Sequence, residues 1–383
     1  MEVQLLACRA WSTIIMVGAS EDGRHWTFRM LVNGCPGAKF RCLIKRSIEA
    51  ITGTAFRDSP DPAFRAAFLN PKEEKMTTPA IEPGLKGTLP PEEYTTKTMP
   101  HWGQTYDAAM AGYKAMDYVS VAFATDAEKA AALIPQELEL IAIPALPGMG
   151  SANLVFAKYR ECDLGPYMEV IISISVLHQG RPYGYVPAIY VDNDAALLAG
   201  RELGGYPKKM ARITMRNYGN LFLSQMSRGS IQTKTVDPNF NDLASSSVTK
   251  GNKLFSVPLP ADRTDELPYP YNLLLPLPPS TGEPQDYVLP TVALKRFPGV
   301  GPGPNGHAGA EVLQLVGTPW HITQADVYAG DAASMEIYPS EEDPIGRLLP
   351  CNAVLGAFVL QGSMYTKSDE WVVLEDLKKN NSA

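Results

Sequence analysis

Two adjacent lysines, Lys208 and Lys209, carry the clearest potential for covalent chemistry in this sequence. A lysine amine attacks a carbonyl carbon only in its neutral form, so the pKa of such an amine must fall well below its usual value. Burial away from water lowers the pKa of a lysine, and so does a second cation beside it. Tyr206 and Pro207 precede the pair and could supply an apolar wall and a stiff backbone. Lys-Lys dipeptides are solvated surface charge in roughly nine cases of ten, so the surrounding residues must decide between the two interpretations.

The surroundings of the lysines resemble four motifs of the acetoacetate decarboxylase family. They occur in the family's order and at similar spacing, as Leu164-Gly-Pro-Tyr-Met-Glu169, Tyr190-Val-Asp-Asn193, Gly200-Arg-Glu-Leu203 and Tyr206-Pro-Lys-Lys209. The similarity extends from about Tyr113 to about Trp371. The resemblance implies a homo-oligomeric enzyme with a β-barrel-like domain whose interior holds the reactive lysine.

The resemblance also implies a role for each of five residues. Lys208 would form a Schiff base with a carbonyl substrate, and Lys209 would be its cationic neighbour. Glu169 would act as general acid and base. Tyr206 would form part of the pocket wall, and Tyr190 is expected to contact the substrate. From the strand pattern alone, Glu169 could equally be a glutamate that faces solvent.

The sequence departs from the family pattern at two positions. An arginine is expected just before the first barrel strand, but the position falls near Met116, with Lys114 as the nearest cation. A second glutamate is expected within residues 153–158, which contain no acid. Because an arginine can hold a substrate carboxylate, its absence argues against acetoacetate itself. A larger, less polar carbonyl compound fits better.

These features support three functional hypotheses. The first is a Schiff-base lyase that decarboxylates a β-keto acid or acts on a related carbonyl compound. The second is an imine-dependent aldolase, dehydratase or cyclase of specialised metabolism, which the two departures favour. The third is a non-catalytic barrel that binds a small apolar molecule, although such a container would need neither the Pro-Lys-Lys motif nor Glu169.

The composition argues against several other classes of protein. The chain has 383 residues, of which 45% are hydrophobic and 20% charged, and its net charge of −7 without a basic block disfavours nucleic acid as a partner. The five cysteines lack Cys-x-x-Cys spacing and, with five scattered histidines, predict no metal site; we expect no cofactor. Sparse cysteines of odd number are typical of reduced thiols in the cytoplasm. The apolar run near the N-terminus is too short for a transmembrane helix, and no signal peptide or membrane association is expected.

Three segments differ in character along the chain. Residues 1–75 hold three of the five cysteines and no sustained period, so they are either an appended module or an extension that the native protein lacks. Residues 76–110 are predicted to form an extended arm because they are rich in proline, threonine and glycine. Residues 111–383 would form the acetoacetate decarboxylase-like domain.

Many short strands and few helices are predicted in that domain. They indicate a mainly β (α+β) fold, an acetoacetate decarboxylase-like antiparallel β-barrel with a few short helices. Residues 168–177 alternate so that one face is wholly apolar and Glu169 lies on the mixed face. A short helix is predicted at residues 194–203, with Asn193 as its N-cap and Gly204-Gly205 as its end. This helix would lead directly to Lys208.

Overall fold

The computed structural model describes residues 13–19, 26–32, 87–91, 104–106, 110–229, 240–263, 267–300, 307–341 and 343–380. The chain divides into two compact units, residues 1–87 and residues 88–383. In the first unit, strands β1 (Thr13–Ala19) and β2 (Trp26–Val32) pair antiparallel. The predicted boundary after residue 75 lies outside the described residues, and the boundary after residue 110 stays a prediction.

The second unit is built mainly from strands, which confirms the mainly β prediction. Its long strands are β3 (Met110–Asp126), β5 (Met149–Cys162), β6 (Tyr167–His178), β7 (Arg181–Val191), β9 (Arg212–Tyr218), β10 (Leu221–Gly229), β11 (Phe240–Val257), β12 (Tyr287–Val300), β13 (His307–Ile337) and β14 (Ala353–Lys367). The short strands are β4 (Glu139–Leu140), β8 (Lys208–Met210) and β15 (Val372–Asp376).

Seven of the long strands form a ring. Hydrogen-bonded neighbours run in the order β12, β7, β6, β5, β3, β14 and β13, and β13 pairs with β12 again. The pairs in this ring are antiparallel except for β7 with β12, which is parallel. Strands β11, β10 and β9 extend the sheet from β13. The described strands therefore form a closed ring of the kind that a barrel-like prediction implies, but β7 pairs in parallel with β12 and also with β8, where all pairs were expected to be antiparallel.

The helices are short and connect strands. They are α1 (Ala127–Ala131), α2 (Asp194–Ala199), α3 (Tyr271–Leu274), α4 (Ile345–Leu348) and α5 (Leu377–Asn380). A π-helical turn at Gly200–Gly204 follows α2, and a 3-10 turn at Ser368–Glu370 precedes β15. Across the described ranges, no helix is both long and apolar enough to cross a membrane.

The two faces of β6 lie in different surroundings. Val170, Ile172, Ile174 and Val176 are 0% exposed and pack into a large apolar core, as the alternation predicts. Burial of each such side chain contributes about 1.5–3 kcal/mol. Glu169 lies on the opposite face and is buried as well. The alternative interpretation of Glu169 as a solvent-facing residue is therefore wrong.

Candidate active site

Lys208 begins strand β8, shortly after α2 and the π-helical turn. The Asn193 side chain caps α2 by accepting a hydrogen bond from Ala196 N at 2.8 Å, as predicted. Gly205 follows the turn in the left-handed conformation with a φ of 74°. A Cβ atom at Gly205 would lie 2.3 Å from Cβ of Lys295. Glycine is therefore required at this position, both for its conformation and for the close approach of its neighbour.

The register of β8 against β7 directs Lys208 toward the sheet face that carries Glu169. Lys208 lies opposite Ile189, and Ile189 lies opposite Ile171 on β6. Directly opposite residues share a face, and Ile171 is two residues from Glu169 on the same strand. As a result, the two functional groups meet: Lys208 Nζ donates to Glu169 Oε2 at 2.6 Å.

The Lys208–Glu169 pair is enclosed by protein. The two residues are 6% and 5% exposed. Lys208 Nζ lies 5.9 Å from the ring centroid of Tyr167, within the range of a cation–π interaction. Tyr159 donates its hydroxyl hydrogen to the other carboxylate oxygen, Glu169 Oε1, at 3.4 Å. Burial raises the pKa of Tyr159 and Tyr167 well above the ordinary value, and the charge of Glu169 raises it further, so both phenols stay protonated at neutral pH.

A cavity of about 90 Å³ lies beside the pair. One water molecule needs roughly 10–15 Å³ on this scale, so the cavity has room for a small organic molecule. Among the described residues that line it, Lys208 and Glu169 are the two charged ones. The aromatic lining residues are Tyr113, Tyr118, Tyr159, Tyr206, Trp320 and Trp371. The site is therefore an apolar, aromatic chamber with one amine and one carboxylate.

Thr291 fixes two of the aromatic walls. Its hydroxyl lies 2.6 Å from the hydroxyl of Tyr206 and accepts a hydrogen bond from Trp320 Nε1 at 3.0 Å. Thr291 donates its own hydrogen to the carbonyl oxygen of Thr318 at 3.3 Å. Because a hydroxyl has one hydrogen, Tyr206 is the donor in its pair with Thr291. Tyr206 thus lines the cavity as predicted, held in one orientation.

Lys209 and Tyr190 lie on the sheet face that points away from the cavity. They are directly opposite each other in the pairing of β8 with β7, and neighbouring strand residues point to opposite faces. Both contact Asp343 Oδ1: Lys209 Nζ as an ion pair, and Tyr190 as a hydroxyl donor at 3.2 Å. Arg228 Nη1 binds Asp343 Oδ2 at 2.8 Å. Tyr190 was expected to contact the substrate, and the structure corrects this: its hydroxyl binds Asp343 on the other face of the sheet. The sequence did not reveal this cluster around Asp343.

The positions where the sequence departs from the family pattern supply no further charge to the cavity. Met116 is 0% exposed. Lys114 pairs with Glu161 at 3.2 Å, with side chains 68% and 63% exposed. On β5, the residue opposite Glu169 is Ala157. The described residues also contain no group of three or more His, Cys, Asp or Glu side chains that could hold a metal ion.

Comparison with known proteins agrees with this geometry. Residues 95–249, which include Glu169 and Lys208, match the family model described as acetoacetate decarboxylase. Over this segment, which is less than half of the chain, the protein is acetoacetate decarboxylase-like. Acetoacetate decarboxylase 1 of Bradyrhizobium diazoefficiens is 30% identical over 116 residues, which are 30% of this chain and 44% of the relative. The chain spans about half the length of the curated acetoacetate decarboxylases it matches.

Solved structures share the acetoacetate decarboxylase-like fold at low identity. A structure of acetoacetate decarboxylase aligns with a TM-score of 0.56 and 16% identity, covering 76% of this chain and 99% of the other. The enduracididine biosynthesis enzyme MppR, complexed with the condensation product of pyruvate and imidazole 4-carboxaldehyde, aligns with a TM-score of 0.50 and 17% identity. That alignment covers 77% of this chain and 99% of MppR. At such identities, the likeness establishes the fold alone.

Proposed function

We propose that the protein is a Schiff-base-forming lyase that acts on a β-keto acid or a related carbonyl compound. The observation that carries this proposal is the buried pair at the cavity, in which Lys208 Nζ lies 2.6 Å from Glu169 Oε2. In this proposal Lys208 is the nucleophile and Glu169 is the general acid and base. The match of residues 95–249 to the family model supports a decarboxylase-like lyase.

In the proposed reaction, Glu169 accepts the first proton of imine formation and returns it in the last step. The carboxylate takes one proton from the Lys208 ammonium and frees the amine, which attacks the carbonyl carbon. A proton then moves from nitrogen to the former carbonyl oxygen, giving a neutral carbinolamine. Glu169 returns its proton to the hydroxyl group, water leaves, and the protonated imine remains beside the carboxylate. The sum is ammonium plus carbonyl giving iminium plus water, and such acid–base assistance contributes about 10²–10⁴-fold in rate.

The iminium accepts the electrons of the bond that breaks next. In a β-keto acid, the bond to the carboxylate carbon breaks, carbon dioxide leaves, and the electron pair forms an enamine with the Lys208 nitrogen. Protonation at carbon restores the iminium, and water then releases the ketone and the free lysine. The aromatic walls favour this sequence because they exclude bulk water from the reactive intermediate.

A second candidate function is an imine-dependent aldolase, dehydratase or cyclase. The observation that favours it is the charge of the cavity: Lys208 is the single cation among the described lining residues, and Glu169 balances it. A substrate carboxylate would therefore find no free cation. MppR, a protein of the same fold, has been captured with a condensation product of pyruvate and an aldehyde, which is the kind of carbonyl chemistry that this candidate requires.

A non-catalytic binding barrel is the least supported alternative. Burying an ammonium and a carboxylate costs several kcal/mol per ion in desolvation, and their attraction repays it incompletely. A container for an apolar ligand would be as stable, or more so, with apolar residues at both positions. The presence of the pair therefore supports chemistry over storage.

Further roles that the sequence predicts are proposed together with the imine mechanism. Tyr206 is proposed as a substrate-facing wall. The ion pair of Lys209 with Asp343 supports a role in holding β8, and any electrostatic effect of Lys209 on Lys208 would act from the opposite sheet face. A small carbonyl substrate is the proposed partner, in a cytoplasmic homo-oligomer.

The proposal can be tested by borohydride trapping. The protein is incubated with individual β-keto acids and ketones in the presence of sodium borohydride, and the modified residue is identified by peptide mass spectrometry. An adduct on Lys208 that is lost in Lys208→Ala and retained in Lys129→Ala, a substitution of an exposed lysine, supports the proposal. Circular dichroism checks that each variant is folded.

The product then separates the two catalytic candidates. Release of carbon dioxide from a β-keto acid supports decarboxylation, whereas adducts without carbon dioxide release support aldol or dehydration chemistry. If no carbonyl compound of either kind gives an adduct on Lys208 in the folded wild-type protein, the imine mechanism is overturned.

A further inference from the structure

Four tyrosines among the described residues line the cavity, and the hydroxyl of Tyr118 differs from the other three. Tyr206 donates to Thr291, Tyr159 donates to Glu169, and Tyr113 accepts a hydrogen bond from Tyr167. Within the described part of the chain, the Tyr118 hydroxyl makes no hydrogen bond. A phenol in an apolar chamber usually finds a partner, so this hydroxyl is available to a molecule bound in the cavity.

Strand register places Tyr118 on the same sheet face as Glu169. On β3, Tyr118 lies opposite Ala157 of β5, and Ala157 lies opposite Glu169 of β6. These three residues form one row across the sheet, and the middle one carries only a methyl group. The Tyr118 ring also stacks on Phe358, with centroids 6.1 Å apart and an interplanar angle of 21°, so its direction is fixed by packing.

Tyr118 is suited to donate a hydrogen bond. Burial raises its pKa well above that of a free phenol, and the charge of Glu169 raises it further. The group therefore keeps its hydrogen at neutral pH and cannot act as a base there. A substrate oxygen that accepts this hydrogen would lie toward β3, whereas the reactive amine is carried by β8, and the strands β5, β6 and β7 lie between these two in the sheet.

The charge of the cavity indicates what kind of oxygen this is. Lys208 and Glu169 neutralise each other, and no other charged residue of the described chain lines the cavity. A substrate carboxylate would bring an unbalanced charge into this site, at a large desolvation cost. A hydroxyl or keto oxygen needs only a donor, which Tyr118 offers.

On these grounds we propose that Tyr118 is a specificity-determining residue whose phenol donates a hydrogen bond to a second, uncharged oxygen of the substrate. The substrate class is then a neutral carbonyl compound with a hydroxyl or keto group some carbons from its reactive carbonyl. This inference rests on the proposed imine at Lys208, and it favours the second candidate function over decarboxylation of a β-keto acid. With a hydroxy ketone as substrate, the expected reaction is carbon–carbon cleavage or dehydration.

Matched ketones that differ by one oxygen test the proposal. One pair is 4-hydroxybutan-2-one with pentan-2-one, and a longer pair is 6-hydroxyhexan-2-one with heptan-2-one; within each pair a hydroxyl replaces a methyl group. Half-saturating concentrations are measured by borohydride trapping on Lys208 and, without borohydride, by ligand-observed NMR titration. In at least one pair, Tyr118→Phe should raise the half-saturating concentration of the hydroxy ketone, relative to that of its matched ketone, about 3- to 10-fold. This is the effect expected from the loss of one hydrogen bond.

Two further tyrosine variants serve as comparisons. Tyr185→Phe removes a phenol oxygen from a buried tyrosine that does not line the cavity, and it should leave both ratios unchanged. Tyr113→Phe removes the hydroxyl of a second tyrosine that lines the cavity, the one that accepts a hydrogen bond from Tyr167. If Tyr113→Phe shifts the ratio and Tyr118→Phe does not, the assignment to Tyr118 is overturned.

The two assays separate this inference from the imine proposal. NMR binding does not require an adduct, so failure of trapping with these four ketones and with the β-keto acids overturns the imine at Lys208 and leaves the role of Tyr118 to be decided by the NMR ratios. Ratios that stay unchanged in Tyr118→Phe for both pairs and both assays overturn the role of Tyr118. Acetoacetate is included as the charged probe, and tighter binding of acetoacetate than of 4-hydroxybutan-2-one would overturn the assignment of an uncharged oxygen.

Discussion

Lys208 and Lys209 are neighbours in the sequence, yet their ammonium groups bind different carboxylates on opposite faces of the sheet. Lys208 donates to Glu169 at the cavity, whereas Lys209 pairs with Asp343 behind it. The alternation of side chains along β8 produces this separation. One residue of the pair therefore faces the proposed chemistry, and the other anchors the strand that carries it.

Lys209→Met should have little effect on adduct formation at Lys208. The Lys209 side chain is 42% exposed and paired with Asp343, so water and the carboxylate both screen its charge. We expect the borohydride-trapping rate with pentan-2-one to stay within about threefold of wild type at neutral pH, and the cost in stability to be about 1 kcal/mol or less. A tenfold slower rate in a protein of unchanged stability would instead support direct electrostatic activation by Lys209.

Asp343→Asn should destabilise the protein far more than Lys209→Met. The Asp343 side chain is 3% exposed, and loss of its charge leaves Arg228, with 18% side-chain exposure, beside a neutral amide. We expect a loss of about 3–5 kcal/mol in the free energy of unfolding, as for other broken buried pairs, measured by urea denaturation. Glu341→Gln, an exposed position two residues away, is the matched control. Equal midpoints for the two variants would show that the cluster around Asp343 contributes no stability.

Local patterns in the sequence predicted the elements around Lys208 well. The N-cap at Asn193 and the glycine that ends the turn at Gly205 depend on a few neighbouring residues, so they can be predicted from the local sequence without knowledge of the fold. The face of β6 that carries Glu169 followed from simple alternation. The helix itself differs from the prediction, because a π-helical turn replaces its last residues at Gly200–Gly204.

Residues distant in sequence could not be found in this way. Thr291 and Trp320 reach the site region through the pairing of β12 with β13, and Asp343 reaches it from a loop before α4 that the fold brings close. Tyr190 belongs to a motif that implies a role at the site, but the sequence does not say which face of β7 lines the cavity. Register between strands decides that question, and a shift of one residue would reverse the answer.

The Lys208–Glu169 pair should show strong energetic coupling. Lys208→Met leaves a buried carboxylate without its cation, and Glu169→Gln leaves a buried ammonium without its anion. Each single variant should lose about 3–5 kcal/mol of unfolding free energy, while the double variant should lose clearly less than their sum because it buries no unpaired charge. Urea denaturation of all four proteins measures the coupling. Additivity within about 0.5 kcal/mol would mean that the pair is not desolvated in solution.

Cys162 should be an unreactive thiol at neutral pH. Burial, as the largest cause, raises its pKa to about 11, compared with about 8.5 for a free cysteine. Since the thiolate is the reactive form, the fraction available at pH 8 is about a hundredfold or more below that of an unfolded chain. Iodoacetamide labelling, followed by mass spectrometry, should therefore be slow at pH 8 and rise about tenfold per pH unit up to pH 10. A labelling rate that levels off near pH 9 in the folded protein would contradict this prediction.

Gly200→Ala should displace the reactive amine while leaving the fold intact. A Cβ atom at Gly200 would lie 2.4 Å from Lys208 Cε and 2.6 Å from Lys208 Cδ. Such distances are too short for carbon atoms, and the flexible lysine stem can move more easily than the backbone of the π-helical turn. A displacement of about 1 Å at a reacting group can cost about 10²-fold in rate, so we expect adduct formation at Lys208 to fall by that order.

Stability separates this local effect from general damage. Overpacking in a buried site costs about 1–3 kcal/mol, which urea denaturation measures, and a folded domain should survive such a loss. Gly229→Ala is the matched control, because its added Cβ would meet no atom of the described residues within 4 Å; it should trap ketones at the wild-type rate. If Gly200→Ala also traps them within threefold of wild type, the position of the Lys208 stem over Gly200 does not govern the reaction. Gly200, the first residue of the motif Gly200-Arg-Glu-Leu203, would then be needed for the conformation of the turn and not for the position of Lys208.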